Sequence, residues 1–156
     1  MTEEIYDLII IGGGSAALSA GIYAGRAMMD TLIIEKDKIG GQVTTTSEIV
    51  NYPAIRHTTG PELMEEMRSQ AQDFGVAFTK DEIIDVDFSQ TIKTVQSASQ
   101  TYQAYAVLIA TGASARKIGF PGESEFTGRG VAYCSTCDGE FFQGLDIFVI
   151  GEIGRA

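Results

Sequence analysis

Basic side chains are scarce: 11 Lys and Arg stand against 21 Asp and Glu, for a net charge of -10 at pH 7. Nucleic-acid binding needs Lys and Arg clustered against phosphates. That composition therefore argues against a nucleic-acid partner, and the acidic balance by itself indicates only a well-solvated surface. Cysteine is reduced to Cys134 and Cys137, and histidine to His57. A zinc site takes four ligands, usually Cys or His, so one chain cannot supply a conventional one. No apolar run is long enough to span a bilayer, which excludes a membrane helix. The N-terminal stretch MTEEIYDLII is acidic where a signal peptide is basic. A soluble, cytoplasmic protein is expected, in a compartment where a persistent structural disulfide is uncommon. Internal repeats and low-complexity tracts are also absent.

Glycine, by contrast, is plentiful, with 18 in 156 residues; it collects where backbone turns tightly or meets a ligand. Residues Ile5 to Ile11 (IYDLIII) form an apolar run of strand length, and glycines follow at once. The small-residue stretch Ser15 to Ala27 then reads as a helix pressed against a sheet, and Thr31 to Lys36 as a second buried strand. Two continuous apolar strands flanking a helix make a βαβ unit with a parallel sheet. Gly41 to Pro53 reads as loop. Pro61, Glu62 and Glu65 suit a helix start, Leu63, Met67, Ala71 and Phe74 share a stripe, and Gly75 suits the end. The five methionines read as core filler. Residues 76–103 hold short alternating runs, read as strands with an antiparallel meander. Ala106 to Ala113 and Leu145 to Gly151 read as two more buried strands, separated by a turn-rich loop at a domain boundary.

Two motifs carry chemistry. Gly12-x-Gly14-x-x-Ala17 sits between strand and helix. Its first glycine permits the turn, its second lets a pyrophosphate reach the backbone, and its third position stays small for packing. The helix N-terminus offers N–H groups and partial positive charge. Glu35 closes the second strand, where a carboxylate can accept ribose hydroxyls. This predicts dinucleotide binding, against the alternative of a glycine turn that only packs. The second motif is Cys134-x-x-Cys137-Asp138. Such a pair can be a reducible disulfide with readily activated thiolates, with Asp138 as a proton carrier; it can equally be two buried core cysteines.

Together these motifs resemble the N-terminal half of low-molecular-weight bacterial thioredoxin reductases, FAD-dependent pyridine nucleotide-disulfide oxidoreductases. The likeness runs through IIIGGGSAALSAGIYAGRA, TLIIEKDKIGGQ, EIVNYP, LIATGA and FPGESEFTGRGVAYCSTCDGEFF. It implies an α/β, Rossmann-like FAD-binding domain with a parallel sheet and a β-meander over residues 1–114. Residues 115–156 would be the start of an NADPH/disulfide domain. Gly12, Gly14, Ser15 and Ala16 would hold the FAD pyrophosphate, and Glu35 the adenosine ribose, with Lys36 beside it. Gly40, Gly41, Gln42 and Asn51 would lie along the flavin side, Ile83 would present backbone near the adenine, and Ala110 and Gly112 would pass close to the cofactor. Cys137 would face the flavin, Cys134 would attack the partner disulfide, and Asp138 would be the acid/base. Electrons would pass from NADPH to FAD, to the disulfide and to thioredoxin. Separately, the strand read over Leu145 to Gly151 is apolar on both faces with no helix after it, which leaves an unpaired edge and predicts a homodimer.

The sequence departs from the family in two places. Ser15-Ala16-Ala17 stands where the family has Pro-Ala-Gly, a tolerated change. After FVIG the family continues with a second GxGxxA loop, whereas this sequence runs EIGRA. NADPH binding and the closing part of the FAD site are thus expected to be missing, leaving a half-protein inactive alone. Its origin as an expression fragment, a frameshifted product or a natural half stays open. Three functions follow: half of a reductase, a scaffold that holds FAD or ADP without turnover, or an inert self-associating fragment.

Overall fold

Strand β1 (Ile5–Ile11) lies inside a six-stranded sheet whose order is β3 (Ala77–Lys80), β2 (Thr31–Glu35), β1, β6 (Thr101–Ile109), β5 (Lys93–Ser97), β4 (Ile83–Asp87). The protein is described over residues 4–151 in a computed structural model, with the side chains of Thr136 and Cys137 outside the description. The continuous apolar run of β1 follows from its two covered faces. Side chains alternate across a sheet, so Ile10 enters one core and Ile9 the other, both fully buried. Burying one such side chain contributes roughly 1.5–3 kcal/mol.

Helix α1 (Ser15–Arg26) crosses from β1 to β2 (Thr31–Glu35), and the two strands pair in parallel with Leu8 opposite Thr31 and Ile11 opposite Ile34. Its small residues serve close approach: a Cβ on Gly21 would come within 2.9 Å of Ile33 Cδ1. A 3-10 helix (Gly41–Thr45) leads through a loop to α2 (Gly60–Asp73). The start of α2 carries a capping box, in which the Glu62 N–H donates to Thr59 Oγ1 at 3.3 Å and the Thr59 N–H donates to Glu62 Oε2 at 3.1 Å. Leu63, Met64, Met67 and Ala71 bury its apolar stripe against α1 and the sheet, whereas Met28 and Met29 are exposed. Phe74 sits at the margin, with the Arg26 guanidinium 5.6 Å from its ring centre.

Strand β3 (Ala77–Lys80) joins β2 in parallel, then β4 (Ile83–Asp87), β5 (Lys93–Ser97) and β6 (Thr101–Ile109) form the antiparallel meander. The expected α/β fold is therefore present, a parallel sheet with a meander. One strand does two jobs that the sequence reading divided. The start of β6 pairs with β5, and its length from Gln103 to Ile109 runs parallel to β1. Ala106 to Ala113 was expected as a buried strand, but Leu108 and Ile109 are exposed and the strand ends at Ile109. Beyond Ala104 the strand has β1 on one edge and no second strand neighbour among the described residues, so its other edge stays unpaired.

The chain divides after Ala113 into a second unit, Ser114–Ala156. This unit has two short helices, α3 (Glu123–Phe126) and α4 (Ser135–Asp138), and a 3-10 helix (Gly139–Phe142). The buried strand expected over Leu145 to Gly151 is not formed: residues 145–150 are irregular and exposed, with Phe148 at 94%. An apolar run becomes a buried strand only where neighbours supply ladder partners and covering faces. No other strand exists among the described residues of this unit to supply them. Residues 152–156, which were read as departing from a second nucleotide loop, lie outside the described residues.

Candidate functional site

Four chain segments meet at the C-terminal ends of β1, β2 and β6. The Gly12 backbone is left-handed, with φ +106, and a Cβ there would come within 2.3 Å of Ala110 O. Gly12 therefore has to be glycine for two reasons, backbone hand and close approach. The Ala110 N–H donates to Ile11 O at 2.8 Å, which holds the segment after β6 against this turn. Gly13 is buried, and a Cβ on it would meet Ile39 Cδ1 at 2.7 Å and Glu35 Cβ at 2.9 Å. Gly14 differs: its φ is −80, and a Cβ would find nothing within 4 Å. It is the N-cap of α1, with no side-chain cap and no acidic residue in the first turn. The first N–H groups of that helix lack side-chain partners there and present partial positive charge to the open space beside Gly14.

Glu35 ends β2 with both carboxylate oxygens engaged. Oε2 accepts from the Gly13 N–H at 2.6 Å, and Oε1 accepts from the Asp37 N–H at 2.9 Å. A carboxylate has about four acceptor sites, so each oxygen keeps capacity for a further donor. Lys36 is exposed and lies 3.8 Å from Glu82. Gly40, left-handed at φ +112, donates its N–H to Gly13 O at 2.7 Å and bridges Gly14. Gly41 brings backbone alongside Gly14 Cα, and the Gln42 side chain donates to Ala113 O. Gly112 is also left-handed, with φ +69 and open space where a side chain would project.

The structure thus gathers Gly12, Gly14, Glu35, Gly40, Gly41, Gln42, Ala110 and Gly112 into one loop cluster, with Ser15 and Ala16 exposed at the start of α1. Asn51 is exposed in the loop between Ile49 and Thr58, whose backbones bond each other. Ile83 sits at the start of β4 against the core that contains Ile9 and Ile34. Beside Glu35 opens a cleft of about 340 Å³, also lined by Lys38, Arg68, Phe78 and Lys80. The Arg68 guanidinium lies 5.9 Å from the Phe78 ring centre, and its buried Nε has no hydrogen-bond partner.

The cysteine segment lies in the second unit. Cys134 and Asp138 are half-buried, and the Asp138 N–H donates to Cys134 O at 3.0 Å, closing one helical turn around Ser135–Asp138. No free cysteine is found among the described residues. Tyr133, directly before Cys134, donates its phenol to Glu123 Oε1 at 2.8 Å. That bond and partial burial push the phenol pKa up, while the Ile118 and Gly119 N–H groups, and then Tyr133, hold the Glu123 carboxyl below its ordinary range.

Several of these residues escaped the sequence reading. Thr59-x-x-Glu62 is a readable capping signature. Gly60 is needed because a Cβ would lie 1.8 Å from Val43 O, a clash no local pattern announces. Asp81, Ser99 and Tyr102 form a cluster across the β5–β6 hairpin, with Ser99 Oγ and Tyr102 OH donating to Asp81 Oδ2 at 2.6 and 2.9 Å. No group of three or more His, Cys, Asp or Glu placed to hold a metal occurs among the described residues, and no helix there is long and apolar enough to cross a membrane.

Residues 6–152 match the family described as pyridine nucleotide-disulphide oxidoreductase. A thioredoxin reductase of Peptoclostridium acidaminophilum is 48% identical over 150 residues, covering 96% of this chain and 48% of that protein. A thioredoxin reductase of Bacillus subtilis is 45% identical over 149 residues, covering 96% of this chain and 47% of that protein. The crystal structure of thioredoxin reductase from Streptococcus pyogenes superposes with a TM-score of 0.84 at 40% identity, covering 90% of this chain and 46% of that one. The chain spans about half the length of the curated relatives it matches. With a match that takes in the glycine loop, the meander and the cysteine segment, the chain belongs to the pyridine nucleotide-disulphide oxidoreductase family.

Proposed function

We propose that this chain forms the flavin- and disulfide-bearing part of a thioredoxin-reductase-type oxidoreductase. Electrons from NADPH would pass through FAD to a Cys134–Cys137 disulfide and on to thioredoxin or a similar protein. One observation carries the reading most. Gly14 leaves open space at the uncapped start of α1, and Gly12, Gly40 and Ala110 hold that loop by close backbone contacts. Backbone N–H groups around such a space fit a pyrophosphate.

The first unit would be the FAD-binding domain and the second the opening of the NADPH/disulfide domain. FAD, when bound, supplies two-electron chemistry between a hydride donor and a disulfide. Gly12, Gly14, Ser15 and Ala16 would hold its pyrophosphate, and Glu35 its adenosine ribose through the acceptor sites left over from Gly13 and Asp37, with Lys36 alongside. Gly40, Gly41, Gln42, Asn51, Ala110 and Gly112 would line the flavin side, and the Ile83 backbone the adenine. In the reduced pair the Cys134 thiolate attacks one sulfur of the partner disulfide and releases one partner thiolate. The Cys137 thiolate then attacks Cys134 in that mixed disulfide, which frees the second partner thiolate and restores the Cys134–Cys137 bond. Asp138 carries a proton to a departing thiolate.

Absorbance of the purified protein between about 350 and 500 nm tests the cofactor reading. A flavin band is expected, together with two thiols that appear as a pair on mild reduction. Protein that takes up no flavin when offered FAD would overturn it. Among the described residues the loop cluster is the candidate nucleotide site. Hydride transfer needs the donor held against the flavin, so NADPH oxidation with thioredoxin, measured with and without a separately made NADPH-binding half, tests the electron path.

A further inference from the structure

The turn that carries Cys134 is anchored by a buried carboxylate ten residues before Tyr133 in the chain. Glu123 is only 3% exposed. Its carboxylate receives three donors: the Ile118 N–H at 3.0 Å, the Gly119 N–H at 2.5 Å and the Tyr133 phenol at 2.8 Å. A buried charge is tolerated when its acceptor sites are filled in this way, and hydrogen bonds to an ionised group are the strong ones. The carboxylate therefore joins the chain at residues 118–119 to the residue immediately before Cys134. The Thr127 hydroxyl also donates to Glu123 O at 2.7 Å, which fixes the end of α3 beneath it. On the far side, the Asp138 N–H holds Cys134 O at 3.0 Å. Cys134 is thus restrained from both directions. Tyr133 is exposed enough, at 42%, that water could serve its phenol; the bond to Glu123 is made instead.

We propose that Glu123 and Tyr133 are a positioning pair that fixes the entry to the Cys134-x-x-Cys137 turn and biases its thiol–disulfide equilibrium toward the disulfide. The proposal rests on the reading of the two cysteines as a redox pair. A disulfide requires the sulfurs at bonding distance with a defined torsion, whereas two thiols do not. A restraint on one end of the turn therefore acts unequally on the two forms. Holding the turn in one geometry favours the disulfide, which needs that geometry, over two thiols, which do not.

The test is a glutathione titration of the full chain, with thiols trapped by alkylation. Two glutathione thiols give two electrons and two protons, becoming glutathione disulfide while the Cys134–Cys137 disulfide becomes two thiols. Tyr133→Phe, Glu123→Gln and Arg129→Ala are compared with wild type. The Arg129 guanidinium donates to Glu125 O outside the anchor. Tyr133→Phe and Glu123→Gln are expected to move the midpoint toward the dithiol by about threefold to tenfold, the scale of one typical net hydrogen bond. Arg129→Ala is expected to leave it in place. Tyr133→Phe removes a single hydroxyl and decides the matter if Glu123→Gln does not fold. A wild type that titrates while Tyr133→Phe coincides with it would overturn the positioning role alone, and so would an equal shift in Arg129→Ala. A wild type with no paired thiol transition would overturn the redox reading together with the proposal.

Discussion

At the scale of single residues, the three glycines of the loop after β1 look alike in sequence and meet different demands. Gly12 is fixed by its left-handed backbone and by Ala110 O, whereas Gly14 is spacious on both counts. Gly12→Ala is expected to destabilise the fold by roughly 2–5 kcal/mol, the sum of overpacking and left-handed strain. Gly14→Val should stay within about 1 kcal/mol of wild type, the scale of a lost helix cap, yet weaken ADP or FAD binding at least tenfold. Urea unfolding and nucleotide titration separate the two effects, and equal nucleotide affinity in Gly14→Val would remove the phosphate role from this loop. Asp81 offers a second test. Hydrogen bonds from Ser97 and Ser99, then Tyr102, lower its pKa from 3.8 to about 2. A depressed carboxyl stabilises the fold fully above its unfolded value and loses that contribution as pH falls through its folded value. The stability gap between wild type and Asp81→Asn should therefore be constant above about pH 4 and close as pH falls to about 2. A gap that does not change across that window in thermal melts would show that the cluster does not depend on the charge. None of this was legible in the sequence, because Ser99 and Tyr102 reach Asp81 only across a folded hairpin.

Elements were more legible, and the failures have a common cause. Strand β1, helix α1 and strand β2 follow from apolar runs and small residues whose partners are close in sequence, and the glycine loop between them came with its geometry. The long strand β6 was harder to read, because it changes partners along its length and a pattern of apolar residues does not name its neighbours. The same holds for Leu145 to Gly151, an apolar run with no strand beside it among the described residues. Helix α2 shows what a purely local signal is worth. Thr59→Ala removes one side of the capping box and should cost about 1 kcal/mol in urea unfolding. Gly60→Ala should cost more, because its Cβ would lie 1.8 Å from the Val43 carbonyl oxygen and the helix start would have to move away from the 3-10 helix that holds Gly41 and Gln42. A Gly60→Ala protein as stable as wild type would mean that this packing is loose.

At the scale of the whole molecule, two opposing surface properties decide how copies of the chain behave toward each other. The net charge of -10 drives them apart. Against it, Phe141, Leu145, Ile147, Phe148, Val149 and Ile150 are all more than half exposed. Exposed apolar groups close together along the chain fit an association surface, and we propose that copies of the chain pair through it. The contact need not involve strand pairing, since these residues form no strand. Charge repulsion reaches about 10 Å at 0.1 M salt and about 3 Å at 1 M, while apolar attraction is not screened. Association should therefore strengthen with salt, and Phe148→Asp should weaken it at every salt concentration by placing charge where the side chain is most exposed. Sedimentation of both proteins at low and high salt tests this. A wild type that stays monomeric at high concentration in 1 M salt would show that the apolar stretch is not an interface between copies. Association that falls with salt would show instead that charge pairs, rather than this stretch, hold the copies together.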